Sequence, residues 1–252
     1  MSTTNGTNGM SGRAVLVTGG SRGVGAATAV RLAGEGADVA FTYVRDEVRA
    51  KEVAARIEAL GRRALPLRAD AGDAGDAAGA VDWAADALGR LDVLVNNVGV
   101  GVLAPLGHLS LAEVDRVLAV NVRSAFLAAQ AAAARMEAGG RIVTVGTCMT
   151  QRVPGPGGTL YTMSKAALVG LTKALARELG ERGITANIVH PGPTDTDMNP
   201  ADGPYADGQA AMTALGRFGT ADEVAATVAF LAGPDAAYVT GAEFSVDGGH
   251  AA

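Results

Sequence analysis

The sequence has few of the residues that mark secreted, metal-binding or nucleic-acid-binding chains. Its 252 residues include one cysteine, Cys148, which cannot form an internal disulfide, so nothing favours an oxidising compartment. The three histidines, His108, His190 and His250, are too dispersed along the chain to indicate a metal site. The formal net charge is -5 and the basic residues are scattered, which argues against nucleic acid as a partner. A small anionic ligand remains compatible with this charge.

No targeting segment or membrane-length apolar run is evident either. Residues 1–11 have neither the basic start nor the apolar stretch of a secretory signal, and their Ser, Thr, Asn and Gly content predicts a disordered tail. The alanine-rich run 124–134 is flanked by Arg123 and Arg135 and is too short to cross a bilayer, so we interpret it as a buried helix. These features favour a cytoplasmic protein that does not bind membranes.

What the sequence does contain is a regular alternation of apolar, β-branched runs with helical patterns. Seven strand-like runs begin near residues 14, 38, 63, 91, 141, 184 and 243. Helical patterns occupy about 23–34, 46–60, 73–88, 110–136, 158–179 and 220–232. Strands that are apolar on both faces and separated by helices predict a Rossmann-type, doubly wound parallel sheet of seven strands with helices on both faces. No linker or repeat divides residues 12–252, which predicts a single domain.

The least regular segment, 191–217, is rich in Pro, Gly and Asp and follows the sixth strand. Long irregular segments in compact domains are usually functional lids or disordered loops. Open α/β sheets bind ligands at the carboxyl ends of their strands. We therefore interpret 191–217 as a lid over the substrate rather than a solvated surface loop.

The stretch "VTGGSRGVGAATAVRL" runs from the first strand directly into a helix. Its glycines, Gly19, Gly23 and Gly25, let the backbone approach a pyrophosphate, and the helix start offers free N–H groups to an anion. Ser21 and Val24 lie in the same turn and are candidate cofactor contacts. A purely structural turn is the alternative, but its place at the start of the alternating pattern favours a dinucleotide site.

The end of the second strand indicates which dinucleotide is bound. NAD sites usually place an acidic residue there, whereas this chain has Tyr43 and Arg45 before any acid. Arg22, inside the glycine turn, could act with Arg45 to flank a 2′-phosphate, because arginine binds phosphate through a bidentate fork. The sequence therefore predicts NADP(H). In the alternative, Arg45 faces solvent and Asp46 turns inward.

Tyr161 and Lys165 lie four positions apart in a predicted helix, so both side chains project on one side. A nearby ammonium favours the phenolate and lowers the tyrosine pKa, which suits acid/base work on an alcohol or carbonyl oxygen. Such a pair is common on helix surfaces, and alone it would carry little weight.

Five motifs occur together in an order and approximate spacing that resemble the short-chain dehydrogenase/reductase family. They are "TGGSRGVG" (18–25), "NNVG" (96–99), Asn121 in "VNV", "YTMSK" (161–165) and "HPGPTDTDM" (190–198). The resemblance covers residues 12–250, and within the family the chain is most similar to the 3-oxoacyl-acyl-carrier-protein reductase type.

The resemblance implies a role for each matching residue. Tyr161 would donate a proton to the carbonyl oxygen, Lys165 would lower the tyrosine pKa and hold the nicotinamide ribose, and Asn121 would anchor a water linking Lys165 to solvent. The implied cofactor contacts are Asp70 and Ala71 at the adenine, Asn97 and Gly99 on the adenosine side, and Pro191, Gly192, Thr194 and Thr196 at the carboxamide and pyrophosphate.

The chain departs from the family where a serine usually follows the fifth strand, thirteen positions before the tyrosine. Counting back from Tyr161 gives Cys148, whereas aligning the strand end "RIVTVGT" gives Thr147. We favour Thr147, because a loop absorbs an extra residue more easily than a buried strand and because a thiol is a weak donor. The choice between the two residues stays open from the sequence alone.

Together these features predict an NADPH-dependent oxidoreductase that reduces a ketone, a 3-oxoacyl thioester or similar small or carrier-bound carbonyl, to a secondary alcohol. The alternatives are an NAD(P)-dependent secondary-alcohol or polyol dehydrogenase and, in another class, a catalytically silent cofactor-binding regulator. The resemblance of the last strand and tail, "VTGAEFSVDGGHAA", to the family's interface region predicts a homotetramer.

Overall fold

The apolar runs form one seven-stranded sheet in the computed structural model, which describes residues 9–252. The strands are β1 (Ala14–Val17), β2 (Asp38–Tyr43), β3 (Ala64–Arg68), β4 (Val93–Asn96), β5 (Arg141–Val145), β6 (Thr185–Pro191) and β9 (Glu243–Val246). Two short strands between β6 and β9 in the chain, β7 (Thr194–Asp195) and β8 (Gly219–Thr220), pair with each other outside this sheet. The order in the sheet is β3-β2-β1-β4-β5-β6-β9 and every neighbouring pair is parallel. The predicted doubly wound sheet is confirmed. Its order reverses between β1 and β4, which is the crevice where such sheets bind ligands.

Helices cover both faces of this sheet. They are α1 (Gly23–Gly34), α2 (Glu47–Ala59), α3 (Ala74–Leu88), α4 (Leu111–Leu118), α5 (Ser124–Arg135), α6 (Thr159–Leu179), α7 (Ala206–Ala211) and α8 (Ala221–Ala232). One core cluster joins the sheet to Leu32 of α1, Ile57 of α2 and Val228 of α8. A second includes Val81 of α3 and Ala129 of α5, and a third, smaller one joins Ala125 of α5, Leu168 of α6 and Ile188 of β6. Burial on both faces explains why the central strands are apolar throughout.

A π-helical turn at Ala119–Arg123 joins α4 to α5 into one continuous helix over Leu111–Arg135. The run 124–134 forms the second half of this helix, and Ala128, Ala129 and Ala132 are buried in the core, as expected for a core helix. The whole helix is 25 residues long and contains an 18-residue window with a mean hydropathy of 1.4, so by length and composition alone it is long and apolar enough to cross a membrane.

The folded domain begins earlier than residue 12. Residues 1–8 of the predicted tail lie outside the described residues, whereas Met10 is fully buried in the core and its N–H donates to the carbonyl of Glu35 at 3.1 Å. The prediction of a disordered tail is therefore wrong for residues 9–11. Met10 packs into the core near the end of α1, and the composition of the polar segment around it does not indicate this tertiary contact.

The segment 191–217 is more ordered than its composition predicts. It contains helix α7 and a short strand β7 (Thr194–Asp195), which pairs in parallel with β8 (Gly219–Thr220) directly after the segment. Thr220 then caps α8 through a capping box with Glu223, as the Thr-x-x-Glu pattern favours. The segment is thus anchored at both ends beside β6.

Candidate active site

The turn between β1 and α1 has the geometry of an anion cradle. Gly19 and Gly23 have φ of 68° and 52°, and a Cβ on Gly25 would lie 2.2 Å from the carbonyl oxygen of Gly19. The Arg22 side chain makes no hydrogen bond at the N-terminus of α1. The first N–H groups of α1 therefore have no side-chain cap, and an anion can accept from them.

Asn97 supports this turn from below. Its side-chain amide donates to the carbonyls of Thr18 and Gly19, at 2.9 and 3.1 Å, while the Thr18 hydroxyl accepts from the Asn97 N–H at 3.0 Å. The Asn97 amide is thus used inside the protein, and its expected place on the adenosine side of the cofactor stays a prediction. The Gly19 N–H is fixed in turn by the Thr42 hydroxyl of β2, at 2.9 Å.

The residues after β2 are placed as an NADP(H) site requires. Asp46 caps α2 by accepting the Arg49 N–H at 3.0 Å, so it does not turn inward toward the crevice. Tyr43 is partly buried against the core, and Arg45 and Arg22 are exposed. The guanidinium of Arg45 is close enough to Asp70 to lower the pKa of that carboxyl. Both arginines are therefore free of a buried structural role.

Asp70 has a partner that sequence reasoning missed. Its carboxylate accepts the Gly72 N–H at 2.8 Å, which is the main cause of its lowered pKa, and Arg116 of α4 donates to it at 3.1 Å. Ala71, between Asp70 and Gly72 in the chain, is partly buried. Arg116 is 46 positions from Asp70 in the sequence, and no local pattern links the two.

Tyr161 and Lys165 lie in the first two turns of α6, as predicted. Lys165 is buried, donates from Nζ to the Val145 carbonyl at 2.9 Å, and burial lowers its pKa to about 8. Burial raises the pKa of the Tyr161 hydroxyl, and the group that opposes this effect is the nearby Thr147 side chain. The expected lowering of the tyrosine pKa by Lys165 is not among the influences on this hydroxyl, and desolvation of the phenolate is the largest of them.

Thr147 and Cys148 differ in what their side chains do. Thr147 is extended, its hydroxyl accepts the Met149 N–H at 3.4 Å, and its side chain lies close enough to Tyr161 to lower the pKa of the phenol. Burial raises the pKa of the Cys148 thiol to about 11, so it stays protonated at neutral pH. Only the threonine offers a hydroxyl that can both donate and accept beside the tyrosine.

Asn121 occupies the π-helical turn and is buried beneath Lys165. Its side-chain oxygen accepts the Val100 N–H at 2.8 Å, and its amide donates to the Val100 carbonyl and to Ser164 Oγ, both at 2.9 Å. Gly99 lies here as well, since a Cβ on it would be 3.0 Å from Lys165 Nζ. Gly99 therefore lies beside Lys165, and its expected contact with the adenosine side of the cofactor stays a prediction.

The segment after β6 approaches the glycine turn. The Thr194 hydroxyl donates to the Gly192 carbonyl at 2.9 Å, and Thr196 packs its methyl group near Gly23. Pro191 ends β6 and is partly buried.

A cleft of about 680 Å³ opens between this segment and the glycine turn. It is lined by Ser21, Arg22, Gly23, Arg49, Thr196 and Asp197 among others. Within residues 9–252, no three His, Cys, Asp or Glu side chains are grouped to hold a metal ion.

Comparison with known proteins agrees with this geometry. The family model described as Enoyl-(Acyl carrier protein) reductase matches residues 19–251. A crystal structure of a short-chain dehydrogenase from Burkholderia cenocepacia in complex with NADP superposes with a TM-score of 0.95 at 53% identity, covering 96% of this chain and 99% of that one.

Three curated relatives carry different functional names. A cyclic-di-GMP-binding biofilm dispersal mediator protein from Escherichia coli is 41% identical, over 94% of this chain and 96% of its own length. An L-rhamnose 1-dehydrogenase (NAD(P)(+)) from a Sphingomonas species is 39% identical, over 95% and 96%. A 3-oxoacyl-[acyl-carrier-protein] reductase from a Synechocystis species is 37% identical, over 95% and 97%. Similar overall identity thus accompanies three ligand classes.

Proposed function

This chain belongs to the short-chain dehydrogenase/reductase family, and we propose that it reduces a ketone to a secondary alcohol with NADPH as the hydride donor. The observation that carries the proposal is the proximity of the Thr147 side chain to the Tyr161 hydroxyl, whose pKa it lowers, with buried Lys165 one helical turn further along α6. A protonated phenol beside a hydroxyl, with a buried ammonium on the same helix, suits proton donation to a developing alkoxide.

The residues fit a dinucleotide. The close approach of Gly25 to Gly19 leaves no room for a side chain, and the uncapped start of α1 faces the same crevice. Arg22 and Arg45 supply positive charge for a 2′-phosphate, and Asp46 is occupied as a helix cap. The NADP bound by the Burkholderia protein supports the same cofactor for this chain. We propose Asp70 and Ala71 as the adenine contacts, and Pro191, Gly192, Thr194 and Thr196 as contacts of the nicotinamide half.

In the proposed mechanism, the cofactor supplies a hydride to the carbonyl carbon and the protein supplies the proton. Thr147 and Tyr161 hold the carbonyl oxygen, and Tyr161 donates its hydroxyl proton to that oxygen as negative charge develops there. Lys165 stabilises the phenolate that remains and contacts the nicotinamide ribose. Asn121 fixes the loop around Val100 beside Lys165 and anchors the water through which a proton returns.

The substrate class we favour is a 3-oxoacyl thioester or a similar carbonyl, supported by the name of the Synechocystis relative. A secondary-alcohol or sugar dehydrogenase is the second candidate, supported by the rhamnose dehydrogenase. The raised pKa of Tyr161 favours the reductive direction, because it keeps the proton to be donated on the hydroxyl at neutral pH.

A panel of substrates tests the proposal. NADPH oxidation is measured against 3-oxoacyl thioesters, enoyl thioesters, cyclic ketones, quinones and sugars, and NADP reduction against secondary alcohols and rhamnose. We expect turnover with a ketone, and a lower KM for NADPH than for NADH. Oxidation with enoyl thioesters alone would mean that a carbon–carbon double bond is reduced, and a clear NADH preference would contradict the cofactor assignment.

The same panel tests the regulatory alternative. The Escherichia coli relative is named for binding cyclic-di-GMP, so thermal shift with that nucleotide is measured in parallel. NADPH binding without oxidation by any ketone, together with a shift by cyclic-di-GMP, would favour a regulator. Tyr161, Lys165 and Asn121 are all in place, which argues for turnover instead.

We further propose that the segment 191–217 closes over the bound substrate, that the chain assembles as a homotetramer, and that it works in the cytoplasm. The lid assignment is supported by its position after β6 and by the ion pair between Asp197 and Arg49 of α2, which ties it across the cleft. The apolar side chains that remain exposed on α5 and α6, Phe126 and Met163, support assembly.

A further inference from the structure

Behind Thr147 lies a buried histidine that the mechanism above does not use. His190, the sixth residue of β6, is fully buried. Its Nδ1 is 3.3 Å from the backbone nitrogen of Thr147 and 3.3 Å from Thr150 Oγ1, and its Nε2 is 3.1 Å from a carboxylate oxygen of Glu243. The imidazole thus connects Glu243, in the last strand of the sheet, to Thr147, the residue beside Tyr161.

These contacts define one tautomer. The Thr147 N–H can be accepted only by an unprotonated Nδ1, so the ring proton lies on Nε2 and is donated to Glu243. In this tautomer the Thr150 hydroxyl makes no hydrogen bond to Nδ1, because its single proton is donated to the Thr147 carbonyl at 2.9 Å. Every polar atom of the ring therefore has a partner.

The remainder of the fold holds the ring in this orientation. Glu243 begins β9, pairs in register with Ile188, and its second oxygen lies 2.7 Å from Nζ of Lys173 on α6. The Lys173 ammonium lowers the pKa of Glu243, so the carboxylate stays available as an acceptor. At position 146 only glycine leaves room for the imidazole, because a Cβ there would lie 2.6 Å from Nδ1.

We propose that His190 is a positioning residue for ketone reduction: its Nδ1 fixes the backbone of Thr147, and thereby aims the threonine hydroxyl at Tyr161 and the substrate oxygen. This inference rests on the proposed function of Thr147. A buried N–H without an acceptor would turn away or admit water, and the hydroxyl on the same residue would move with it. A displaced Thr147 hydroxyl would lower kcat because the substrate oxygen would be misplaced, while the glycine turn that binds the cofactor would be unchanged.

Two variants separate the two ring nitrogens. The amide oxygen of His190→Asn can take the place of Nδ1, whereas the longer His190→Gln side chain reaches toward Glu243 in the place of Nε2. We expect His190→Asn to retain kcat within about threefold, and His190→Gln to lose about tenfold or more in kcat with the NADPH dissociation constant within about twofold of wild type. A merely structural role would instead lower kcat in both variants in proportion to the loss of folded protein.

NMR of the wild-type protein tests the Nδ1 contact directly, and it requires neither enzymatic turnover nor a folded variant. The 15N chemical shifts of the imidazoles should show a histidine with unprotonated Nδ1 and protonated Nε2 at neutral pH, with slow hydrogen exchange at the Thr147 amide. A proton on His190 Nδ1, full kcat in His190→Gln, or an equal loss of NADPH affinity would overturn the proposal. A wild-type protein inactive on the whole substrate panel would defeat the proposed function, while the 15N shifts would still decide whether the Nδ1 contact exists.

Discussion

Thr147 and Cys148 are adjacent in the chain, but only the threonine side chain influences Tyr161 favourably. The Thr147 side chain lowers the pKa of the Tyr161 phenol, whereas burial raises the pKa of the Cys148 thiol to about 11. The reaction that we propose needs a group that orients the carbonyl oxygen and needs no nucleophile. We therefore propose the threonine, and not the cysteine, as the substrate-orienting residue.

This assignment predicts how three variants behave. Thr147→Val keeps the shape but removes the hydroxyl, so we expect kcat/KM for the ketone to fall by about a hundredfold, as loss of one oriented donor typically does. Thr147→Ser should retain activity within about tenfold, and the matched control Cys148→Ala within about threefold. Steady-state kinetics with the best ketone of the panel provides the measurement. Loss of activity in Cys148→Ala with retention in Thr147→Val would reverse the assignment.

The buried Lys165 predicts the pH dependence of reduction. Its pKa is lowered to about 8 by burial, and the pKa of Tyr161 is raised, so below pH 8 the lysine is charged and the tyrosine protonated. Both groups are then in the form that the mechanism uses. Reduction should therefore be level near neutral pH and decline as pH rises through about 8, where Lys165 loses its charge.

The pH profile is measured as kcat/KM for the ketone, with the NADPH dissociation constant determined at each pH as the control. A decline in kcat/KM that exceeds any loss of cofactor affinity supports the role of Lys165. An increase in reduction between about pH 7 and pH 9 would contradict it, because it would require the neutral amine or the phenolate as the active form.

Single residues were predictable where a motif is local. Tyr161 and Lys165 are four positions apart, and the glycine turn is contiguous, so the sequence identifies them directly. Arg116 and His190 were not identified, because their partners lie 46 and 43 positions away and no periodicity connects them. Asn97 and Gly99 were found as a motif, but a motif identifies residues without specifying their neighbours, here Thr18 and Gly19 for Asn97 and Lys165 for Gly99.

At the scale of elements, the turn between β1 and α1 is the part that function constrains most tightly. In Gly25→Ala the added Cβ would collide with the carbonyl of Gly19 and, at 2.5 Å, with the Asn97 amide that supports the turn. We expect the NADPH dissociation constant to rise by at least about tenfold, because the cradle must open. Fluorescence titration of NADPH measures the effect.

The control is Gly79→Ala, on the exposed side of α3, where nothing lies within 4 Å of the new Cβ. Alanine is a better helix former than glycine, so this variant should gain about 0.5 to 1 kcal/mol in free energy of unfolding and bind NADPH as wild type does. Unchanged NADPH affinity in Gly25→Ala would show that the turn is structural only.

The elements themselves were predicted well because their hydrophobic periods are strong. The predicted helix 158–179 is observed at Thr159–Leu179, and the seven strand runs all form. The π-helical turn over Ala119–Arg123 was missed, since a wider turn leaves no mark on an apolar helical sequence. The pairing of β7 with β8 was missed as well, because the two short strands are 25 positions apart where they pair, and only the tertiary fold brings them together.

At the scale of the whole molecule, the open question is assembly. Phe126 of α5 and Met163 of α6, two large apolar side chains on neighbouring helices, are each 51% exposed. We expect light scattering to give the mass of a homotetramer, and Phe126→Glu to shift it to smaller species by burying a charge in an apolar contact. A monomeric wild type would contradict the assembly, although it would leave the chemistry of the site untouched.

In the reaction that we propose, a hydride moves from NADPH to a carbonyl carbon while Tyr161 supplies the proton. This reaction is tested with NADPH that carries deuterium at the transferable position of the nicotinamide, by mass spectrometry of the product. We expect one deuterium on the carbinol carbon with the wild type, and no product from Tyr161→Phe, which still binds NADPH. Deuterium on another carbon, or undiminished transfer by Tyr161→Phe, would contradict it.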